Sequence, residues 1–261
     1  MSPAIASRSQ AERTPAPAIL RAEGLSKRFG AKLAVAALTC EVRSGEVVGL
    51  IGPNGAGKTT TMRLALGLLL PSEGRIEVLG VDCASDSVRV KELIGYVPDE
   101  PAFYEFLSGR ETVDFACEMR GLERQAAWER LEPFVAKLEL APELDRLVSG
   151  YSHGTKKKLA LLLALVHGPP LLLLDEPTNG LDPPSANLVR RLLSELAAAG
   201  AGILLSTHLL DMADRICHRL VFLDRGRLVA GGTPAELRAL AGLGGDASLE
   251  DAFLRLVARP A

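Results

Sequence analysis

The stretch EVVGLIGPNGAGKTT, residues 46–60, decides how the rest of the chain is read. Glu46–Ile51 is short, apolar and β-branched, the pattern of a strand buried on both faces. It runs into a glycine-rich turn, and a helical pattern starts near Lys58. Gly52-Pro53-Asn54-Gly55-Ala56-Gly57-Lys58-Thr59 fits the spacing G-x-x-x-x-G-K-[ST]. Glycines let the backbone fold tightly, so successive N–H groups and the positive helix end point at one anion. Lys58 would reach the β- and γ-phosphates of a nucleotide, and the Thr59 hydroxyl would hold Mg²⁺. A chance glycine turn carrying Gly57-Lys58-Thr59 is the rival reading, and the strand before it and helix after it count against it.

A second stretch, LLLLDE at residues 171–176, is an apolar strand ending in two acids. Ligands of α/β sheets sit at the carboxyl ends of strands. Asp175 would therefore face Mg²⁺, directly or through water, and Glu176 is the candidate general base for an attacking water. Read alone, the pair could be a solvated acidic turn. Its company with the phosphate loop favours the catalytic reading.

Outward from these two stretches the chain organises itself. Its 261 residues suffice for one large domain or one domain with a lobed insertion. Hydrophobic residues make up 48% and charged residues 24%, enough apolar surface for a sizeable core. The net charge of -2 gives no global field to recruit nucleic acid or an anionic membrane. Cys40, Cys83, Cys117 and Cys217 are far apart, with no metal-ligand spacing, and read as reduced structural thiols of a cytoplasmic protein. The longest apolar run, Leu159–Val166, falls well short of the roughly 18 residues that span a bilayer. No signal-peptide pattern opens the chain, so any place at a membrane has to come from a partner.

Residues 1–17, rich in Pro, Ala, Ser and Arg, read as a disordered tail. From Ile19 short apolar stretches alternate with turn signals. From about 83 to 167 the pattern turns helical, with helices near 109–120, 125–138 and 153–167, the first opened by the capping box Ser108–Glu111. Strands and helices then alternate through Leu171–Asp175 and Gly202–Ser206 to a hairpin about Arg225-Gly226. The expected fold is α/β: a mostly parallel sheet with an N-terminal antiparallel part and an inserted helical subdomain at about 83–167. The domain would run over 18–232, and 233–261 would form a helical tail.

Five motifs in order and spacing resemble those of the ABC family of ATPases. The phosphate loop and the acidic strand are two of them. Tyr151-Ser152-His153-Gly154-Thr155, at a helix start, resembles the ABC signature. Pro177-Thr178-Asn179-Gly180-Leu181-Asp182 resembles the family's D-loop, and Ser206-Thr207-His208 its switch histidine. Phe29 stands where the family stacks adenine. The resemblance covers residues 19–232 and implies a P-loop NTPase core that binds and hydrolyses ATP with Mg²⁺. It implies that Gly52, Pro53, Asn54, Gly55, Ala56, Gly57, Lys58, Thr59 and Thr60 hold the nucleotide, with Phe29 at the base and Ser152, Gly154 and Asp182 serving it from the opposite subunit. Glu176 and His208 would be catalytic, and Thr59, Asp99 and Asp175 would be metal ligands. It further implies a head-to-tail dimer with a second ABC ATPase subunit, separate multi-spanning permease subunits, and no nucleic acid. The protein would sit peripherally on the inner face of the cell membrane.

The chain departs from the family pattern at the Q-loop, Ile94–Pro101, where Asp99 stands for glutamine, and in the signature, where His153 and Thr155 replace glycine and glutamine. A carboxylate can ligate Mg²⁺ more strongly than an amide, so Asp99 is either a metal-side ligand or a solvated loop acid. Lys156-Lys157-Lys158 could support the field at the phosphates, and its simpler reading is a solvated helix face. The stretch PAFYEF, residues 101–106, is either a socket for a permease helix or packing inside the helical lobe. Residues 248–254, SLEDAFL, resemble the tails of exporter subunits. Two rival functions stay open: a non-transport ABC protein on ribosomes or DNA, and a regulatory module that binds ATP without hydrolysing it.

Overall fold

A computed structural model of the chain describes residues 16–245 and 247–258. Of the tail expected to be disordered, only Ala16 and Pro17 lie within these residues, and the Pro17 carbonyl accepts the Ser44 N–H at 3.1 Å. The remainder of that stretch, residues 1–15, lies outside the described residues, as do 259–261 of the C-terminal tail.

Strands β1 (Ala18–Phe29), β2 (Lys32–Arg43) and β3 (Val47–Ile51) lead into α1 (Lys58–Ala65). Then come β4 (Glu73–Val78), β5 (Val81–Asp82), α2 (Ser87–Leu93) and β6 (Ile94–Val97). Three helices make the inserted lobe: α3 (Gly109–Met119), α4 (Arg124–Lys137) and α5 (His153–Ala164). The chain returns to the sheet with β7 (Leu171–Asp175), α6 (Pro183–Ala198), β8 (Gly202–Thr207) and α7 (Leu210–Ile216). The hairpin β9 (Arg219–Asp224) and β10 (Arg227–Gly232) and helices α8 (Pro234–Leu240) and α9 (Leu249–Val257) complete it.

Among the described residues ten strands form one sheet, in the order β5-β4-β1-β2-β10-β9-β3-β8-β7-β6. From β9 to β6 every neighbouring pair is parallel; β5, β4, β1 and β2 pair antiparallel. The two parts join through β10, which pairs antiparallel with β9 and parallel with β2 at Arg227 and Ala36. This is the expected α/β architecture, a parallel core with an antiparallel N-terminal part.

The strands β3, β7 and β8 are buried along their whole length because both faces of the sheet are covered. Successive side chains alternate between two cores. Leu172, Leu174, Ile203 and Leu205 join the helices of the inserted lobe and α6. Leu171, Leu173, Leu204, Val48 and Leu50 join β1, β2 and α1. A run such as Leu171–Leu174 is what this double burial demands. The cysteines are free, and burial pushes the Cys83 and Cys217 thiols up to about 12, as inert structural thiols require.

One boundary differs from the sequence expectation. The stretch expected to be helical from about 83 contains β6, which pairs in register with β7 from Ile94–Leu171 to Val97–Leu174. Its residues are too few to show a period, and pairing with an apolar neighbour decides their state. The helical lobe proper begins at Gly109, where the Ser108–Glu111 capping box forms with bonds of 3.2 and 2.8 Å.

The C-terminal helices pack back on the sheet. Leu249, Ala252 and Leu256 are buried, and the Phe253 ring meets Phe222 edge-on at 5.1 Å. Phe253→Ala is expected to lower the unfolding free energy by about 2 kcal/mol in urea titration. A change below about 0.5 kcal/mol, within the range of ordinary surface substitutions, would mean that α9 adds no stability through this contact.

Candidate nucleotide site

The turn after β3 is shaped by what cannot be there. A Cβ on Gly52 would lie 2.2 Å from the Leu223 carbonyl oxygen. At Gly57 a Cβ would lie 2.5 Å from the Ala34 carbonyl oxygen, and its φ of 107° suits glycine alone. Gly57 is also the N-cap of α1 and offers no capping side chain, which leaves the positive helix end open to an anion. The sequence Gly52–Gly57 thus folds into a backbone-lined cradle at the carboxyl end of β3.

Lys58, buried on the first turn of α1, donates to the carbonyls of Gly52 at 2.6 Å and Pro53 at 3.3 Å. The Thr59 hydroxyl donates to Asp175 Oδ2 at 2.9 Å, and the Ser206 hydroxyl donates to Asp175 Oδ1. Asp175 is therefore held from both sides, by α1 and by the end of β8. Glu176, the next residue, is buried and has a φ of 48°, uncommon for a side chain other than glycine. Its carboxylate lies 3.7 Å from Lys58 Nζ and 3.0 Å from His208 Nδ1. It also accepts the His208 N–H at 3.4 Å.

These groups share one cleft, lined by Lys32, Ala34, residues 53–60, Asp99, Asp175 and Glu176. Among the expected residues, Pro53, Asn54, Gly55, Ala56, Gly57, Lys58, Thr59, Thr60, Asp99, Asp175 and Glu176 thus come together. Gly52 joins them through its carbonyl, and His208 through Glu176. Phe29 ends β1 opposite Lys32 of β2, outside the cleft lining. Phe29 is 47% exposed, with the Lys27 ammonium 5.1 Å over its ring face.

Ser152, Gly154 and Asp182 lie elsewhere. Ser152 caps α5 and accepts the Thr155 N–H at 3.1 Å, with the Thr155 hydroxyl 2.8 Å away. Tyr151 before it is buried, and its hydroxyl donates to the Glu143 carbonyl at 2.5 Å, which fixes where α5 begins. Asp182 is the N-cap residue of α6. The His153 ring packs against Gly180 in the turn that precedes Asp182.

The sequence misjudged one residue. Lys157 does not lie on a solvated helix face: its side chain is 2% exposed. Its ammonium donates to the Glu176 carbonyl at 2.5 Å and to Asp99 Oδ1 at 3.3 Å. Burial pulls the Lys157 pKa down from the ordinary lysine value, and the Asp99 carboxylate pushes against that. The signal was present, because Lys157, Ala160, Leu161 and Ala164 follow helical spacing and all are buried. Lys156 and Lys158 do stay at the surface side, near Glu105 at 2.9 Å and Glu139 at 3.8 Å.

Known proteins share this fold and much of this sequence. The pattern of the ABC transporter family matches residues 35–179. A Nod factor export ATP-binding protein I of Burkholderia lata is 39% identical over 213 residues, covering 82% of this chain and 70% of that protein. A solved ATP-binding subunit of an ABC transporter superposes with a TM-score of 0.85 at 36% identity, over 92% of this chain and 99% of that one. The structure of cbiO1 from Clostridium perfringens, part of the ABC transporter complex cbiONQ, has a TM-score of 0.75 at 29% identity, over 85% of this chain and 91% of that one. A match over more than half the chain, relatives of this identity and a shared fold lead to one conclusion: the chain belongs to the ABC transporter family, whose ATP-binding subunits it resembles along nearly its whole described length.

Proposed function

We propose that the chain hydrolyses ATP with Mg²⁺ and powers export through separate membrane-embedded permease subunits. One observation carries the catalytic part: Thr59 and Asp175 place two oxygens 2.9 Å apart at the cradle, beside a Glu176 carboxylate poised between Lys58 and His208. Mg²⁺ takes hard oxygen donors and retains water and phosphate oxygens, so a hydroxyl and a carboxylate fit it. Mg²⁺ supplies neutralisation of the charge that develops on the phosphates. Residues 52–60 bind the phosphate chain through backbone N–H groups, and Lys58 engages the β- and γ-phosphates. The Glu176 carboxylate accepts the proton of the attacking water. His208 orients that carboxylate and contacts the γ-phosphate, and Phe29 stacks on the adenine from the rim.

Ser152, Gly154 and Asp182 serve the cleft of a second ABC ATPase subunit, a role supported by their absence from the lining of their own chain's cleft. An exposed aromatic patch supports docking to a permease. Tyr104 lies 5.7 Å from Phe106 and edge-on to Phe115 at 5.5 Å, and Phe106 is 74% exposed. Tyr104 and Phe115 line a groove with Met119 and Leu163. A cytoplasmic helix of a permease would bury this apolar face. Among the described residues no helix is long and apolar enough to cross a membrane. The permease would therefore hold the chain at the inner face of the cell membrane. Export is inferred from the Burkholderia lata relative, a Nod factor export ATP-binding protein.

Glu176→Gln is expected to lower the MgATP hydrolysis rate by about 100-fold or more while ATP still binds. Used as bait with ATP in detergent-solubilised membranes, the same variant should retain a multi-spanning membrane protein. Recovery of ribosomal or DNA-associated proteins instead would overturn the transport reading.

Asp99 is proposed as a metal-side ligand, so Asp99→Gln should need more Mg²⁺ for half-maximal hydrolysis. Coincident Mg²⁺ titration curves for the two proteins would remove Asp99 from the metal site.

A further inference from the structure

The turn that carries Glu176 is held by an unusual tie. A non-glycine residue keeps a left-handed conformation only where its surroundings over-determine it. The Glu176 N–H donates to the Ser206 carbonyl at 3.1 Å and to the Ser206 hydroxyl at 3.2 Å. The Glu176 carbonyl accepts the Asn179 N–H at 3.1 Å from within the same turn. Its other partner comes from a different element: the Lys157 ammonium, 2.5 Å away on α5.

Packing alone gives no reason for an ammonium there. The stripe that contains Lys157 is otherwise apolar, and burying an ammonium is costly unless it is paired and hydrogen-bonded. Lys157 pairs with Asp99 at 3.3 Å, and Asp99 Oδ1 also accepts from Asn179 Nδ2 at 3.4 Å. The ammonium thus joins three pieces, namely the loop after β6, the turn after β7 and α5.

We propose that Lys157 is a positioning residue that fixes the Glu176 turn from α5 and so aims the Glu176 carboxylate. This rests on the reading of Glu176 as the proton acceptor. Lys157 stands five residues after Ser152, about 7.5 Å along a helix that rises 1.5 Å per residue. The same rigid segment that offers Ser152 to an opposite subunit therefore grips this subunit's own Glu176. Engagement of α5 by the opposite nucleotide bears directly on the aim of the base.

The test compares Lys157→Met and Lys157→Arg with the parent chain in MgATP hydrolysis, equilibrium ATP binding and thermal unfolding. Methionine keeps the volume and removes the tie; arginine keeps a charged donor. For Lys157→Met, kcat should fall by about tenfold or more while the Kd for ATP stays within about twofold, and Lys157→Arg should recover a substantial part of the rate. Lys157→Gln, which keeps a neutral donor in the interior, should show the same split and guards against a methionine variant that does not fold. A kcat within about twofold of the parent for the methionine variant would overturn the proposal. So would parallel losses of kcat, ATP affinity and melting temperature in all three variants, since these would mean packing alone. Failure of the underlying reading looks different: Glu176→Gln would then hydrolyse ATP as fast as the parent.

Discussion

Between Ile51 and Lys58 the backbone reverses in a space with no room for a side chain at Gly52 or Gly57. The Leu223 carbonyl crowds one position and the Ala34 carbonyl the other. Those carbonyls belong to β9 and β2, so the cradle forms only when the hairpin and the antiparallel ribbon have closed on β3. The phosphate loop is therefore a product of the whole sheet and not a local turn. Its shape in turn fixes α1, and through α1 the positions of Lys58 and Thr59.

A second constraint is electrostatic. Three acids and three basic groups crowd together where the cleft meets the interior: Asp175, Glu176 and Asp99 face Lys58, Lys157 and His208. Each carboxylate in this set has a partner on a different element. Asp175 is bound by hydroxyls from α1 and β8, Glu176 by Lys58 and the His208 segment, and Asp99 by Lys157 and Asn179. Buried charges persist only when paired and hydrogen-bonded, so the cluster ties the geometry of the site to the packing of five separate segments. Breaking one pair leaves its partner uncompensated, and effects of substitutions here should couple rather than add.

The candidate site is also divided in space. The cradle and the acids share a cleft that His208 reaches through Glu176, whereas Ser152 caps α5 of the inserted lobe, Gly154 lies in its first turn and Asp182 opens α6. Ser152, Gly154 and Asp182 do not line the cleft that holds the cradle. The exposed Tyr104 and Phe106 leave an apolar face on that same lobe.

By itself the sequence determined the strands that need continuous apolar runs, the helix caps and the presence of the phosphate loop. Strands and caps are legible because they depend on neighbours close along the chain, and the loop is legible because its glycine and Lys-Thr spacing is written in consecutive residues, even though distant carbonyls of β9 and β2 crowd its glycines. Ser108–Glu111 formed its box, and the Arg225-Gly226 turn joined β9 to β10, both at positive φ as such a hairpin requires. Only the tertiary structure decided β6, whose few residues take their state from pairing with β7. Only it showed Lys157 as a buried tie instead of part of a solvated basic run, although the helical spacing carried the hint. The reason is the same in both cases. A short strand and a buried charge are specified by partners distant in sequence, Leu171–Leu174 for the one and Asp99 and Glu176 for the other. No local pattern records which distant groups the fold will bring into contact.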